Sequence, residues 1–146
     1  MNEIDELYQE TILDHNRTPR NYGRLAEFNR RADGYNPLCG DRITVYAQVD
    51  GETLSAVGFE SVGCAISKAS ASMMTEALKG KAISEVDQLF AIFHRLITTG
   101  EDGEELGKLA AFGGISSYPT RVKCASLAWH ALQAAIHDQT ERVTTE

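Results

Sequence analysis

Two hydrophobic periods organise the chain. Near its start Ile4, Leu7, Tyr8, Thr11 and Ile12 recur at helical spacing, which predicts an amphipathic helix over residues 3–15 with Pro19 barring continuation. A polar connector follows, with Gly23, Gly34 and the turn pair Asn36-Pro37, and a short strand is expected around 27–32. The period then becomes two. Ile43, Val45, Ala47 and Val49 alternate with Thr44, Tyr46 and Gln48, the pattern of a half-buried strand. Asp50-Gly51 signals a hairpin, and Leu54, Ala56, Val57, Phe59 and Val62 predict a second strand, broken at Gly58 and paired antiparallel with the first.

Helical spacing returns at 65–78, where Ile66, Ala69, Met73 and Ala77 share a face and Gly80 ends the run. Ser84-Glu85-Val86-Asp87 resembles an N-cap region, ahead of Val86, Leu89, Phe90, Phe93 and Ile97. The stretch 98–117 is Gly-rich and acidic, with room for a short helix only over 106–112. Pro119 suits the first turn of a last helix whose stripe is Val122, Ala125, Trp129, Leu132 and Ile136. The tail 140–146 is expected to fray. Strands first and helices after predict an α+β fold, a small antiparallel sheet of about three strands packed with helices.

Composition narrows the classes. At 146 residues the chain is expected to form one domain, 1–146, and its 42% apolar and 24% charged content are those of a globular protein. A net charge of −7 without a basic run argues against nucleic acid and anionic membranes as partners. No segment approaches the length of a membrane span, and the acidic start lacks the apolar region of a signal peptide, so a cytoplasmic protein is expected. Three cysteines are an odd count and no disulfide framework.

Those cysteines carry the candidate chemistry. Cys39 lies in Asn36-Pro37-Leu38-Cys39-Gly40-Asp41, Cys64 follows Gly63 at a helix start, and Cys124 sits in Arg121-Val122-Lys123-Cys124 early in another helix. With Asp41 they form a four-donor set of three thiolates and a carboxylate, which suits tetrahedral zinc. Cys39 and Asp41 point the same way if the segment is extended, and Gly40 frees the backbone between them. A hairpin brings its outer ends together, so Cys39 and Asp41 should neighbour Cys64. Nothing local requires Cys124 to join. A helix N-terminus at Cys64, and Arg121 and Lys123 near Cys124, would favour thiolates, and either cation could offset charge behind the ligands. The competing reading is that each cysteine is a small buried apolar residue, and that Asp41 caps a turn. The Met73/Met74 pair reads as core and Trp129 as the anchor of the last helix. His15, His94, His130 and His137 have no ligand spacing and read as solvated or hydrogen-bonded.

The three cysteine motifs, in this order and with Leu7-Tyr8 and Leu13-Asp14-His15-Asn16-Arg17-Thr18-Pro19-Arg20-Asn21 ahead of them, resemble the SufU/IscU (NifU N-terminal) family of iron–sulfur assembly proteins. Gly63-Cys64-Ala65-Ile66-Ser67 looks like the family's second ligand motif and Arg121-Val122-Lys123-Cys124, with Leu127 and Trp129, its third. Lys123 stands where IscU-type scaffolds carry histidine, and 98–117 looks like the segment that SufU-type members insert before the last helix. The Leu-Pro-Pro-Val-Lys chaperone motif is absent, with Tyr118-Pro119-Thr120-Arg121-Val122 nearby instead. The resemblance implies an IscU/NifU-N-like fold and a zinc-dependent sulfurtransferase that accepts persulfide sulfur from a SufS-type cysteine desulfurase and stimulates it. Cys39, Asp41, Cys64 and Cys124 would be the zinc ligands, Cys39 the sulfur acceptor, and a desulfurase side chain would replace Cys39 on the metal. Arg121 would lie behind the ligands or touch the partner, and the motif around His15 would contact the desulfurase. Downstream iron–sulfur assembly proteins would be the other partners. Two other functions share these residues: a scaffold for a [2Fe–2S] cluster, and a non-catalytic zinc protein that activates the desulfurase.

Overall fold

In a computed structural model of the chain, which describes residues 3–101, 103–137 and 143–144, the period-two segment becomes the centre of the sheet. Strand β2 (Asp41–Asp50) runs antiparallel to β3 (Thr53–Val62) through the Gly51 turn, with Val45 opposite Phe59. Its other edge pairs antiparallel with β1 (Arg30–Asn36), where Ala32 faces Val45 and Asn36 faces Asp41. Strand β1 starts later than the 27–32 expected. Its inward positions are Ala32, Gly34 and Asn36, so polarity hides the alternation. Gly34 is inward because a side chain there would lie 3.0 Å from both Ile43 and Leu127.

Gly58 does not break β3. The connector after the first helix folds back along that edge, with Gly23 N–H donating to Phe59 O at 2.7 Å and Phe59 N–H to Asn21 O at 3.2 Å. A Cβ at Gly58 would come within 2.9 Å of the Gly23 carbonyl, so the glycine marks a close backbone crossing. The same connector covers the outer face of β2, where Phe28 lies edge-on to Tyr46 at 5.0 Å and Arg24 stacks on Phe28. A fourth strand, β4 (Val143–Thr144), pairs parallel with β1 at Gly34 and Tyr35, so part of the tail expected to fray is held by the sheet. The rest of 140–146 lies outside the described residues. The sheet order is β3-β2-β1-β4.

The helices stack on the inner face. Helix α1 (Glu3–Arg17) packs on α2 (Ala65–Leu78), and α2 on α4 (Pro119–Ile136), which crosses β1 and β2. The predicted stripe of α4 is inside, but burial runs almost all round from Cys124 to Ile136. Alanines at 125, 128, 131, 134 and 135 let sheet and helices approach it from several sides. Trp129 anchors it, stacked on Phe93 with centroids 4.3 Å apart and donating Nε1–H to Ser70 Oγ at 3.2 Å. Met73 and Met74 are core.

Helix α3 (Ile83–Thr99) has Ala82 as its N-cap, so the N-cap region expected at 84–87 lies inside the helix. The entry is held by the sheet, since Leu54 N–H donates to Lys81 O at 2.9 Å and Ile83 N–H to Glu52 O at 2.7 Å. Gly100, at φ 82°, closes it. The acidic stretch is more ordered than expected. Residues Glu104–Ser117 form 3₁₀ turns with a break at Gly107, and they bury Leu106, Leu109 and Phe112. No helix among the described residues is long and apolar enough to cross a membrane.

Candidate metal centre

The meander places the β1–β2 turn and the end of β3 at the same end of the sheet. Residues 37–40 form that turn, closed by Gly40 N–H to Asn36 O at 2.9 Å with Gly40 at φ 73°. Cys39 is on the turn and exposed. The extended geometry expected for Cys39-Gly40-Asp41 is therefore replaced by a turn, and the turn still brings the two side chains together. Asp41 is the first residue of β2 and wholly buried. Its Oδ1 accepts the Cys64 N–H at 2.8 Å, and its Oδ2 accepts from the Cys64 thiol at 3.7 Å. No Lys or Arg pairs with this carboxylate among the described residues. Gly63 makes the approach possible. Its φ of 153° and the 2.9 Å that would separate a Cβ from Asp41 Cα both exclude a side chain.

Cys64 is the N-cap of α2, and its sulfur accepts the Ser67 N–H at 3.4 Å. Cys124 lies in the second turn of α4 and is fully buried. Its Sγ is 3.3 Å from Cys39 Sγ, and donor atoms of Cys39, Asp41 and Cys124 all fall within 4.8 Å of one another. Cys64 falls outside that limit and is tied to the group by its two bonds to Asp41. Burial first, then hydrogen bonding to Cys39, Asp41 and Cys64, pushes the Cys124 thiol far above its ordinary range. A Cys124 thiolate in this crowd of acidic groups needs a cation among them.

Asn36, a turn residue by its sequence pattern, does more. It is buried, its Nδ2–H donates to Cys124 Sγ at 3.6 Å, and its Oδ1 accepts the Leu38 N–H at 3.2 Å. One amide thus ties the Cys39 turn to α4. Its signal in the sequence is an inward strand position filled by a polar residue. Arg121 is exposed in the first turn of α4, and its side chain makes no ion pair or hydrogen bond among the described residues, while Lys123 is half-buried. The histidines stay outside the site. His15 is 1% exposed and bonded through Nδ1 to Ser72 Oγ at 2.7 Å, so its ring is no contact surface for a partner. His94 and His130 flank Phe90, and His137 pairs with Asp87 at 3.3 Å.

Fold and site together define a small α+β protein that gathers three thiols and a buried carboxylate at one end of a sheet. The family model for the NifU-like N terminal domain matches residues 7–146, and the chain belongs to that family. The zinc-dependent sulfurtransferase SufU of Bacillus subtilis is 42% identical over 135 residues, 91% of each chain. The iron–sulfur cluster assembly scaffold protein IscU of Streptococcus pyogenes is 35% identical, over 93% of this chain and 86% of its own. The crystal structure described as a putative iron–sulfur cluster assembly scaffold protein for the SUF system, from Fervidobacterium islandicum AW-1, has a TM-score of 0.83 and 32% identity, covering 90% of this chain and 97% of its own.

Proposed function

We propose that this chain is an iron–sulfur cluster assembly protein acting as a zinc-dependent sulfurtransferase, which takes persulfide sulfur from a cysteine desulfurase and stimulates it. The observation that carries the reading is the unequal placement of the thiols. Cys124 is buried in a helix and Cys64 is fixed as a helix cap, while Cys39 alone stands exposed on a turn. The similarity to the Bacillus subtilis sulfurtransferase supports it. Cys39, Asp41, Cys64 and Cys124 would hold the zinc ion. The donor set fits: three sulfurs and one oxygen suit tetrahedral zinc, Cys39, Asp41 and Cys124 already bring donor atoms within 4.8 Å of one another, the buried carboxylate pairs with no cation among the described residues, and the Cys124 thiol is hard to ionise without one. Bound zinc would keep the thiols deprotonated at neutral pH.

The chain's own residues then divide the work. The Cys39 thiolate attacks the outer sulfur of the donor's persulfide, the donor S–S bond breaks, and the donor cysteine leaves as thiolate. The extra sulfur ends as a persulfide on Cys39, with no net change in oxidation. Asn36 positions the turn against Cys124, and Asp41 holds Cys64 at the helix start. Leu38, Val62 and Tyr118, 61%, 74% and 63% exposed, belong to the segments leading to Cys39, Cys64 and Cys124 and offer apolar contact to the donor protein. Arg121, exposed on the first turn of α4, would meet an acidic group of that partner. Three free thiols suit a reducing cytoplasm.

The scaffold reading keeps weight from the similarity to IscU, because the same donors suit a [2Fe–2S] cluster. Protein purified without oxygen separates the two: one colourless zinc per chain is expected, and a coloured iron–sulfur chromophore would overturn the zinc reading. Mass spectrometry after incubation with desulfurase and cysteine is expected to find persulfide on Cys39. Stimulation without that persulfide would mean the protein only activates the desulfurase.

A further inference from the structure

The other polar side chains buried along α2 have partners. Ser70 Oγ donates to Ala125 O at 2.6 Å and accepts from Trp129, Ser72 Oγ bonds His15 and the Arg20 N–H, and Thr75 Oγ1 donates to Ser72 O at 2.7 Å. Ser67 is the exception. It is 2% exposed, and its hydroxyl has no hydrogen-bond partner among the described residues. A buried hydroxyl left this way is destabilising.

Its position gives the orphan a meaning. With Cys64 as N-cap, Ser67 is the third residue of α2, where a side chain can reach back to the N–H of the cap. Here Asp41 already takes that N–H at 2.8 Å. The Ser67 backbone N–H donates to Cys64 Sγ at 3.4 Å, so the residue that carries the orphan hydroxyl already sits against that sulfur. Ser70, one turn further along, meets α4 at Ala125, next to Cys124, which puts Ser67 a turn nearer the cysteine end of the helix. As a thiol, Cys64 is a weak acceptor whose S–H is given to Asp41. As a thiolate it only accepts, and strongly.

We propose that Ser67 is a positioning residue of this site, its hydroxyl being the donor reserved for the Cys64 sulfur once that sulfur holds a metal ion. The hydroxyl then orients the sulfur and offsets part of the charge gathered by three thiolates and a carboxylate. The inference rests on the reading of Cys64 as a metal-holding thiolate. It makes effects of opposite sign in the two states of the protein. Ser67→Ala removes an unpaired buried group from the metal-free protein, so with chelator present the variant melts at or above the wild-type temperature. The same change weakens zinc binding by about tenfold or more, read by competition with a chromophoric chelator. In the cobalt(II)-substituted protein its sulfur-to-metal band moves to lower energy, because the sulfur loses a hydrogen bond. Ser67→Thr, which keeps the hydroxyl, restores affinity and band position. Wild-type zinc affinity and an unmoved cobalt band in Ser67→Ala would overturn the role of Ser67 alone, and so would a lower metal-free melting temperature with both unchanged, the mark of simple packing. A wild type that binds neither zinc nor cobalt would overturn the metal site itself, and this inference with it.

Discussion

Asp41 uses its two oxygens differently, and two substitutions can separate them. Oδ1 caps the Cys64 N–H at 2.8 Å, while Oδ2 accepts from the Cys64 thiol at 3.7 Å. Asp41→Ala removes both and leaves a part-buried donor at the start of α2 with no acceptor. Losing a charge-assisted bond of this kind costs about 2 kcal/mol. For a chain of this size that lowers the melting temperature by about 4–8 °C. Asp41→Asn keeps an oxygen for the Cys64 N–H and replaces the anionic one by an amide that cannot ligate. Its metal-free stability should lie within about 1 kcal/mol of wild type, since the losses are the charge assistance of that bond and the weak 3.7 Å bond from the Cys64 thiol. Zinc affinity should fall by about a hundredfold or more in both variants, because even outer partners of a metal site are worth about 10–100-fold. The assay pairs thermal melts in excess chelator with zinc competition on the same preparations. If the Asn variant melts as low as the Ala variant, the division between cap and ligand is wrong. If it binds zinc as wild type does, Asp41 is a cap and nothing more.

Other outcomes follow from the same geometry. Cys39→Ala should abolish stimulation of the desulfurase and the mass gain of one sulfur atom while some zinc stays bound; full stimulation by this variant would remove Cys39 from the mechanism. Gly63→Ala drives a methyl against Asp41 Cα and should cost about 3 kcal/mol, whereas Gly114→Ala, which meets nothing within 4 Å, should stay within about 0.5 kcal/mol, both read from denaturant midpoints. Burial first and His94 second hold His130 below the ordinary imidazole value of 6.5. Its folded pKa is thus below the unfolded one, so its contribution is complete above about pH 6.5 and is lost as pH falls through the folded value. In metal-free protein the melting temperature should drop between about pH 7 and about pH 5, and less steeply in His130→Gln.

Local pattern was enough where one residue face sets one element. The bounds of α2, the Gly51 hairpin and the Pro119 start of α4 are legible because spacing, glycine and proline act within a few residues. Strand β1 was displaced in the sequence reading because glycine and asparagine fill its inward positions, and they do so for reasons that lie far along the chain. The start of α3 misled likewise, since backbone bonds to β3, and no side-chain cap, hold it. At the site, hairpin topology alone implied that Cys39 and Asp41 should meet Cys64, and three thiols with a carboxylate already carried a metal-binding chemistry. Only the tertiary structure decided that Cys124 joins them, because α4 must cross beneath β1 and β2 to fill the core, and that crossing sets its second turn against the Cys39 turn. Loop and helix-start positions already set Cys39 apart from Cys64 and Cys124 in the sequence; burial is a property of the packed molecule, and it leaves Cys39 outside, Cys64 part-buried as the cap of α2 and Cys124 enclosed.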